Sequence, residues 1–124
     1  MKQKFIMWGK VRKGKKRGKK LGFPTANIAL HKNIPEGIYA STTKIGKNEL
    51  PSVTFIGAAK TFNEKKVQAE TFIFDFDKNI YGRWISIKLF KKIRSNKKFD
   101  SMKTLQIQMR KDVIEAKEFF ILNS

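Results

Sequence analysis

Residues 66–76, KVQAETFIFDF, are dense in β-branched and aromatic side chains, a composition typical of a β-strand. Farther along, residues 84–93 alternate between apolar and polar positions, as a half-buried strand does. The same pattern predicts strands over residues 4–12, 28–30, 38–44 and 52–57. Turns are predicted at 33–37, 45–48 and 77–79, and loops at 13–22 and 58–65.

The end of the chain has a different period. Its apolar residues are spaced by four, four, three and four positions, which places them on one face of a helix: Leu105, Met109, Val113, Ala116 and Phe120. Asp100 or Ser101 can cap this helix, and we interpret the stripe as core packing. Strands followed by one helix predict a mainly β fold, a closed or nearly closed antiparallel barrel. We expect residues 1–124 to form a single domain.

Composition limits the chemistry. The chain has 28 Lys and Arg against 10 Asp and Glu, so its net charge is +18, and such a surface attracts nucleic acid, anionic membrane or nucleotide phosphates. With one His and no Cys, a disulfide framework, a thiolate metal site and Cys–His catalysis are excluded. No apolar run approaches the ~20 residues of a membrane span, and the N-terminus lacks a signal-peptide pattern. We therefore expect a cytoplasmic protein.

Three segments are candidates for function. Between Lys10 and Lys20, eight of eleven residues are basic and glycines are interspersed, which suits phosphate binding but equally a solvated hairpin or a nucleic-acid patch. Thr25 and Asn27 project to one side of an extended chain, where their neutral oxygens suit Mg²⁺ held partly by phosphates; a capped Pro turn is the alternative. Glu70 is a candidate general base, or a carboxylate that faces solvent.

In this order, the segments resemble the signature of the riboflavin kinase family. The matching stretches cover nearly the whole chain: GKV at 9–11, RGKKLGFPTAN at 17–27, PEGIYA at 35–40, residues 56–62, Glu70 to Asp75 with 80–82, and Ile93-Arg94 with residues 98–105. The resemblance implies a six-stranded antiparallel Greek-key β-barrel with a C-terminal α-helix. It also implies an enzyme that transfers the γ-phosphate of ATP to riboflavin, giving FMN and ADP.

The family resemblance also implies roles for particular residues. Glu70 would be the base for the riboflavin 5′-hydroxyl, and Thr25 and Asn27 would hold Mg²⁺ and nucleotide phosphate. The remaining nucleotide-binding residues would be Gly14, Lys20, Ile73, Asp75 and Tyr81. Flavin-side residues would be Arg94, Phe99 and Ser101.

Some features depart from the family pattern or leave alternatives open. Lys60 stands where the family usually has Pro, and the glycine-rich segment is unusually basic. Many bacterial relatives carry an adenylyltransferase module before this domain; Met1 favours a stand-alone kinase over an excised domain, and we expect a monomer.

Two other functions compete with the kinase: a basic nucleic-acid-binding β-barrel, and a flavin- or nucleotide-binding relative without catalysis.

Overall fold

The computed structural model describes residues 1–12, 25–61 and 64–123, with side-chain positions outside 58–66. Within these described residues, six strands precede one helix in chain order. They are β1 (Phe5–Lys10), β2 (Ala26–Ala29), β3 (Gly37–Ile45), β4 (Asn48–Thr61), β5 (Glu64–Ile73) and β6 (Trp84–Arg94), followed by α1 (Met102–Leu122).

The strands form one antiparallel sheet in the order β1-β6-β3-β4-β5-β2. Strands β3 to β5 are consecutive neighbours and β6 returns beside β3, which is the Greek-key arrangement. The two edge strands meet where the Arg12 N–H donates to the Asn27 carbonyl at 2.7 Å. Gly9 permits this approach, since a Cβ there would lie 2.8 Å from the Ile28 Cβ. The sheet is therefore a nearly closed barrel, and the predicted fold class is confirmed.

The hairpin between β3 and β4 turns at Gly46 and Lys47. Gly46 has a φ of 59°, a value that glycine adopts without steric cost and that tight two-residue hairpins require at their first central position. The turn predicted at residues 45–48 is confirmed, and it fixes the register in which Ile45 faces Asn48.

The barrel interior is filled by alternate residues of its strands. On β1 and β6 these include Met7, Ile85, Ile87 and Leu89, all buried as the alternating sequence predicts. Tyr39 also lies in this core, and its phenol donates to the Pro35 carbonyl at 2.6 Å. Burial raises the pKa of the Tyr39 phenol above its ordinary value.

A row of buried hydroxyl groups runs from strand to strand along the inner face of the barrel. Ser41 and Ser52 are joined at 2.7 Å, Ser41 and Thr54 at 2.7 Å, and Thr43 and Ser52 at 2.9 Å. The Thr54 hydroxyl donates to the Thr71 oxygen at 2.9 Å, so the row runs from β3 through β4 to β5. Because each hydroxyl both donates and accepts, the row satisfies itself without water.

Helix α1 covers the outer face of the sheet and packs against β3, β4 and β6. Ser101 is its N-cap, with a reciprocal capping box to Thr104, so one of the two predicted caps is the one used. A second apolar cluster, around Ala40, Phe74 and Ala116, joins helix and sheet. Within the described residues, none of the helical segments has the combination of length and apolarity that crossing a bilayer requires.

Two predicted boundaries were wrong. Residues 58–61 and 64–65, predicted to be part of a loop, continue β4 and β5 as paired strands, because backbone pairing does not depend on the polarity of the side chains. The strand predicted to run to Phe76 ends at Ile73, where the chain turns and Asp75 takes a φ of 54°. Asp is one of the few side chains that tolerate this left-handed backbone.

We predict that Thr54→Val lowers the free energy of unfolding by about 1–3 kcal/mol, because it keeps the shape of the side chain but breaks the hydroxyl row at its middle. The measurement is urea denaturation. Thr42→Val, at a half-buried position bonded to Glu49 on the outer face, is the matched control and should change stability by less than about 0.5 kcal/mol. Equal effects of the two substitutions would contradict the assignment.

Candidate functional site

The pairing of β2 with β5 builds the centre of the site. Asn27 lies directly opposite Glu70 in the register. Their neighbours Ala26, Ile28, Ala69 and Thr71 are buried in the barrel wall, so Asn27 and Glu70 face the other side of the sheet. The Thr25 hydroxyl donates to the Glu70 carboxylate at 2.9 Å, between Oγ1 and Oε1. The three residues singled out from the sequence therefore lie together.

The larger cavity, about 930 Å³, lies between the outer face of β3–β5 and the first half of α1. Its volume is in the range of ~300–1,000 Å³ that small-molecule sites occupy. Thr25 and Glu70 lie on its edge, and its apolar lining includes Ile38, Val53, Phe55, Phe72, Phe99, Leu105, Met109 and Val113. A flat apolar ring could pack there with a polar group directed toward Glu70.

A smaller cavity, about 250 Å³, opens beside the ends of β2 and β5. Ile73 and Tyr81 line it together with Thr71, the last hydroxyl of the row on the inner face of the barrel. Thr25 lines both cavities. Thr25 therefore lies between the two cavities, and its hydrogen bond to Glu70 is on the side of the larger one.

Asn27 is 4% exposed, and its Oδ1 has no hydrogen-bond partner in the described part of the chain. A buried amide oxygen without a partner costs about 1–3 kcal/mol and is rare unless it serves a ligand. The Thr25 hydroxyl uses its hydrogen in the hydrogen bond to Glu70, so the lone pairs of its oxygen remain available to a cation. Two neutral oxygens from residues two apart in one extended segment are a donor set that fits Mg²⁺ when phosphate oxygens complete the coordination.

An ion pair holds the helix against the larger cavity. The Arg94 guanidinium binds the Asp112 carboxylate through Nε and an Nη, both at 2.8 Å, and Gln108 adds a third hydrogen bond to Asp112. The side chains are 19% and 5% exposed, respectively. Arg94, placed on the flavin side by the family resemblance, thus lies in the cavity wall with most of its guanidinium engaged by the helix.

Phe99 and Ser101 also line the larger cavity. Phe99 lies under two cations, with Arg94 at 5.7 Å and Lys97 at 5.8 Å from the ring centre. The Ser101 hydroxyl accepts from the Thr104 N–H and so fixes the start of α1 beside the cavity.

One of the predicted site residues lies apart from the others, and two lie outside the part of the chain that the structure describes. Asp75 is exposed, in the turn after β5, and is not among the residues that line the smaller cavity. Gly14 and Lys20 lie outside the described residues.

Sequence reasoning missed part of the larger cavity. We interpreted the whole apolar stripe of α1 as core, but the stripe has two uses: Ala116 and Phe120 pack in the second cluster, whereas Leu105 and Met109 line the cavity. Helical periodicity shows that one face of a helix is shielded from water, but not whether the protein core or a bound ligand shields it. Asp112, on the same helix, gave a weak signal, as a carboxylate next to Val113 of the apolar stripe.

The fold and the site define a class: a small Greek-key barrel with a ligand-sized cavity and a smaller one, both lined by Thr25, whose hydroxyl is hydrogen-bonded to a carboxylate. Residues 1–120 match the family model described as flavokinase, riboflavin kinase. The chain belongs to the riboflavin kinase family, as its motifs predicted.

The curated relatives are longer proteins that match this chain over part of their length. The bifunctional riboflavin kinase/FMN adenylyltransferase of Haemophilus influenzae is 38% identical over 119 residues, which are 94% of this chain and 39% of that protein. The chain spans about two fifths of the length of the bifunctional curated relatives it matches, and 18% of the length of a trifunctional relative from Mycoplasmoides gallisepticum.

Two solved structures resemble the fold. Riboflavin kinase from Trypanosoma brucei has a TM-score of 0.66 at 26% identity and covers 95% of this chain and 80% of its own. A Streptococcus pneumoniae structure described as a macrolide-efflux protein has a TM-score of 0.82 at 30% identity and covers 90% of this chain and 38% of its own.

We predict that Asp112→Ala lowers the free energy of unfolding by roughly 2–3 kcal/mol, because it leaves the partly buried Arg94 charge unpaired. Glu49→Ala breaks an exposed ion pair with Lys88 and should cost no more than about 1 kcal/mol. Denaturant unfolding of both variants gives the comparison. A cost for Asp112→Ala as small as that for the surface pair would mean that the ion pair does not hold the helix in place.

Proposed function

We propose that this domain transfers the γ-phosphate of ATP to the 5′-hydroxyl of riboflavin, giving FMN and ADP. The observation that carries the proposal is the hydrogen bond to Glu70 from Thr25, the residue that lines both cavities. Phosphoryl transfer depends mainly on positioning and on neutralising charge. Two neighbouring cavities with a carboxylate on the edge of the larger one would provide the positioning.

The larger cavity is the proposed flavin site. Its aromatic and aliphatic lining suits the isoalloxazine ring, and Glu70 at its edge suits the hydroxyl end of the ribityl chain. The flavin would then lie outside the barrel, under α1. Phe99 and Ser101 would border it directly, whereas Arg94 would act mainly by keeping α1 in position.

The smaller cavity is the proposed site of the nucleotide base, bordered by Ile73 and Tyr81. The phosphates would run from there toward Thr25. In the sequence, the basic glycine-rich segment with Gly14 and Lys20 comes immediately before Thr25, as in the family motif, and we propose that it binds the phosphates. For Asp75 we propose a contact at the outer rim of the nucleotide, because it lies in the turn between Ile73 and the cavity residue Phe76.

Thr25 and Asn27 are the proposed ligands of Mg²⁺ among the chain's own residues. The unpartnered Asn27 Oδ1 and the lone pairs of the Thr25 hydroxyl support this assignment. Bound there, Mg²⁺ would neutralise phosphate charge.

Glu70 is the proposed catalytic base. Its Oε1 accepts the Thr25 hydroxyl, which orients the carboxylate, while the carboxylate borders the proposed flavin cavity. Glu70 takes the proton of the riboflavin 5′-hydroxyl as the 5′-oxygen bonds to the γ-phosphorus. The bond between that phosphorus and the bridging oxygen breaks, and ADP leaves with the electron pair.

Other expectations belong to the same proposal. We propose that residues 1–124 act as one domain, as a monomer, in the cytoplasm, where ATP is abundant. A relative that binds flavin without catalysis is disfavoured because the hydroxyl, amide and carboxylate of Thr25, Asn27 and Glu70 are all present and adjacent.

We predict that Glu70→Gln lowers turnover by about 10²–10⁴-fold and leaves riboflavin affinity nearly unchanged, since the amide keeps the shape but cannot accept the proton. Riboflavin fluorescence titration and a phosphate-transfer assay measure the two quantities. Glu36→Gln is the matched control, an exposed carboxylate on the same cavity, and should retain turnover. Near-normal turnover of Glu70→Gln would remove Glu70 from the catalytic role.

We predict that Asn27→Ala weakens binding of Mg-ATP by about tenfold or more, because one proposed ligand is lost. In the absence of ligand the same variant should be as stable as the unaltered protein or more so, since a buried acceptor without a partner has been removed.

Calorimetric titration with Mg-ATP and thermal unfolding without ligand test both parts of this prediction. Asn96→Ala, in the proposed flavin cavity, is the control and should leave Mg-ATP affinity unchanged. If Asn27→Ala binds Mg-ATP normally, the metal is held elsewhere.

A further inference from the structure

The outer surface of β1 and β6 carries two exposed tryptophans, the only two in the chain. Trp8 is 55% exposed and Trp84 is 69% exposed. Neither lines either cavity, so the proposed kinase reaction gives them no role. Leaving two indole rings in water forgoes the free energy that their burial would supply, so the exposure calls for another explanation.

The strand register places the two rings side by side. Trp8 lies opposite Ser86, and Lys10 lies opposite Trp84, so all four side chains leave the same face of the sheet. Trp8 and Trp84 are diagonal neighbours on adjacent strands, which sets their Cα atoms roughly 7–8 Å apart. Successive bases of an extended single strand could therefore each meet one ring.

Lysines surround the tryptophans. Lys10 and Lys44 leave the same face, and the Lys32 ammonium lies 5.0 Å from the centre of the Trp8 ring. Glu49 is the carboxylate on this face among the described residues, and it is paired with Lys88 at 3.2 Å. The face is thus positive, as is the whole chain at +18.

We propose that this face, defined by Trp8, Trp84, Lys10, Lys32 and Lys44, is a binding site for single-stranded nucleic acid. Aromatic side chains that stack on bases, set among cations that follow the phosphates, are the two elements that sequence-tolerant single-strand binding requires.

The chemistry of the face favours this partner over others. Paired bases do not present their ring faces, so a duplex would use only the lysines. Protein interfaces are depleted in lysine at their centre, whereas here the lysines stand next to the indoles. A polyanion with exposed aromatic rings matches both features of the surface.

Tryptophan emission reports directly on this face, because both tryptophans lie on it. We expect a 12-nucleotide oligouridylate to quench the emission of the full chain with saturation at low salt, and affinity to fall as salt rises. A 12-base-pair duplex should quench little. Absence of quenching by the single strand, equal quenching by the duplex, or equal quenching by polyglutamate would each overturn the proposal.

Substitutions separate stacking from charge, with binding of the same oligonucleotide followed by anisotropy of an attached dye. The double variant Trp8→Ala/Trp84→Ala should bind at least about tenfold more weakly, whereas Trp8→Phe/Trp84→Phe should retain most of the affinity. Lys10→Glu/Lys44→Glu should weaken binding and reduce the magnitude of the salt slope by about 1.4, since two contacts of about 0.7 each are lost, whereas the helix control Lys103→Glu/Lys111→Glu should not.

Thermal unfolding of every variant shows whether the fold is retained. If the alanine double variant is folded and binds as tightly as the unaltered chain, the tryptophans are not the site and the proposal is wrong. The readouts do not use flavin or ATP, so this test and the kinase test fail independently.

Discussion

The antiparallel pairing of β2 with β5 is the contact on which the site depends. β2 has four residues and is an edge of the sheet, yet it sets Asn27 against Glu70 and carries Thr25 to within hydrogen-bond distance of the same carboxylate. The pairing is specified by the barrel interior, since Ile28 is fully buried beside Ala69. A slip of one residue would turn Ile28 out and Asn27 in, so the core enforces the geometry of the polar face.

The barrel and the helix divide the work of folding and binding. The interior of the barrel is filled by apolar side chains and by the row of hydroxyls. The larger cavity lies outside it, between the sheet and α1. The helix packs tightly only through its second half, around Ala116, and its first half stands over the cavity. The Arg94–Asp112 ion pair lies between the two halves and ties the helix to the end of β6. A filled barrel, with a helix held by the packing of its second half and by the ion pair, leaves room for a ligand under the first half without exposing the core.

Most of the secondary structure could be predicted because its signals are local. The alternation in residues 84–93 and the four-and-three spacing along α1 express which side chains must face the core. The wrong boundaries lie where the local sequence carries no signal. β4 and β5 extend beyond their predicted ends because each supplies the other's backbone partners, and β5 stops just before the turn at Asp75. The sharing of the helical stripe between core and cavity has only a weak local signal, the carboxylate of Asp112 next to Val113.

By itself, the sequence determined the family, the order of the main elements, and the three polar residues at the centre of the candidate site, because side-chain type and spacing carry that information. Only the tertiary structure decided that Thr25 touches Glu70, that Asn27 Oδ1 is buried without a partner, and that Trp8 and Trp84 share one face with lysines from three segments. These are contacts between residues far apart in the chain, and they are set by strand order and register. The physical reason is that burial of the barrel core selects the register, and the register then places every outward-facing group.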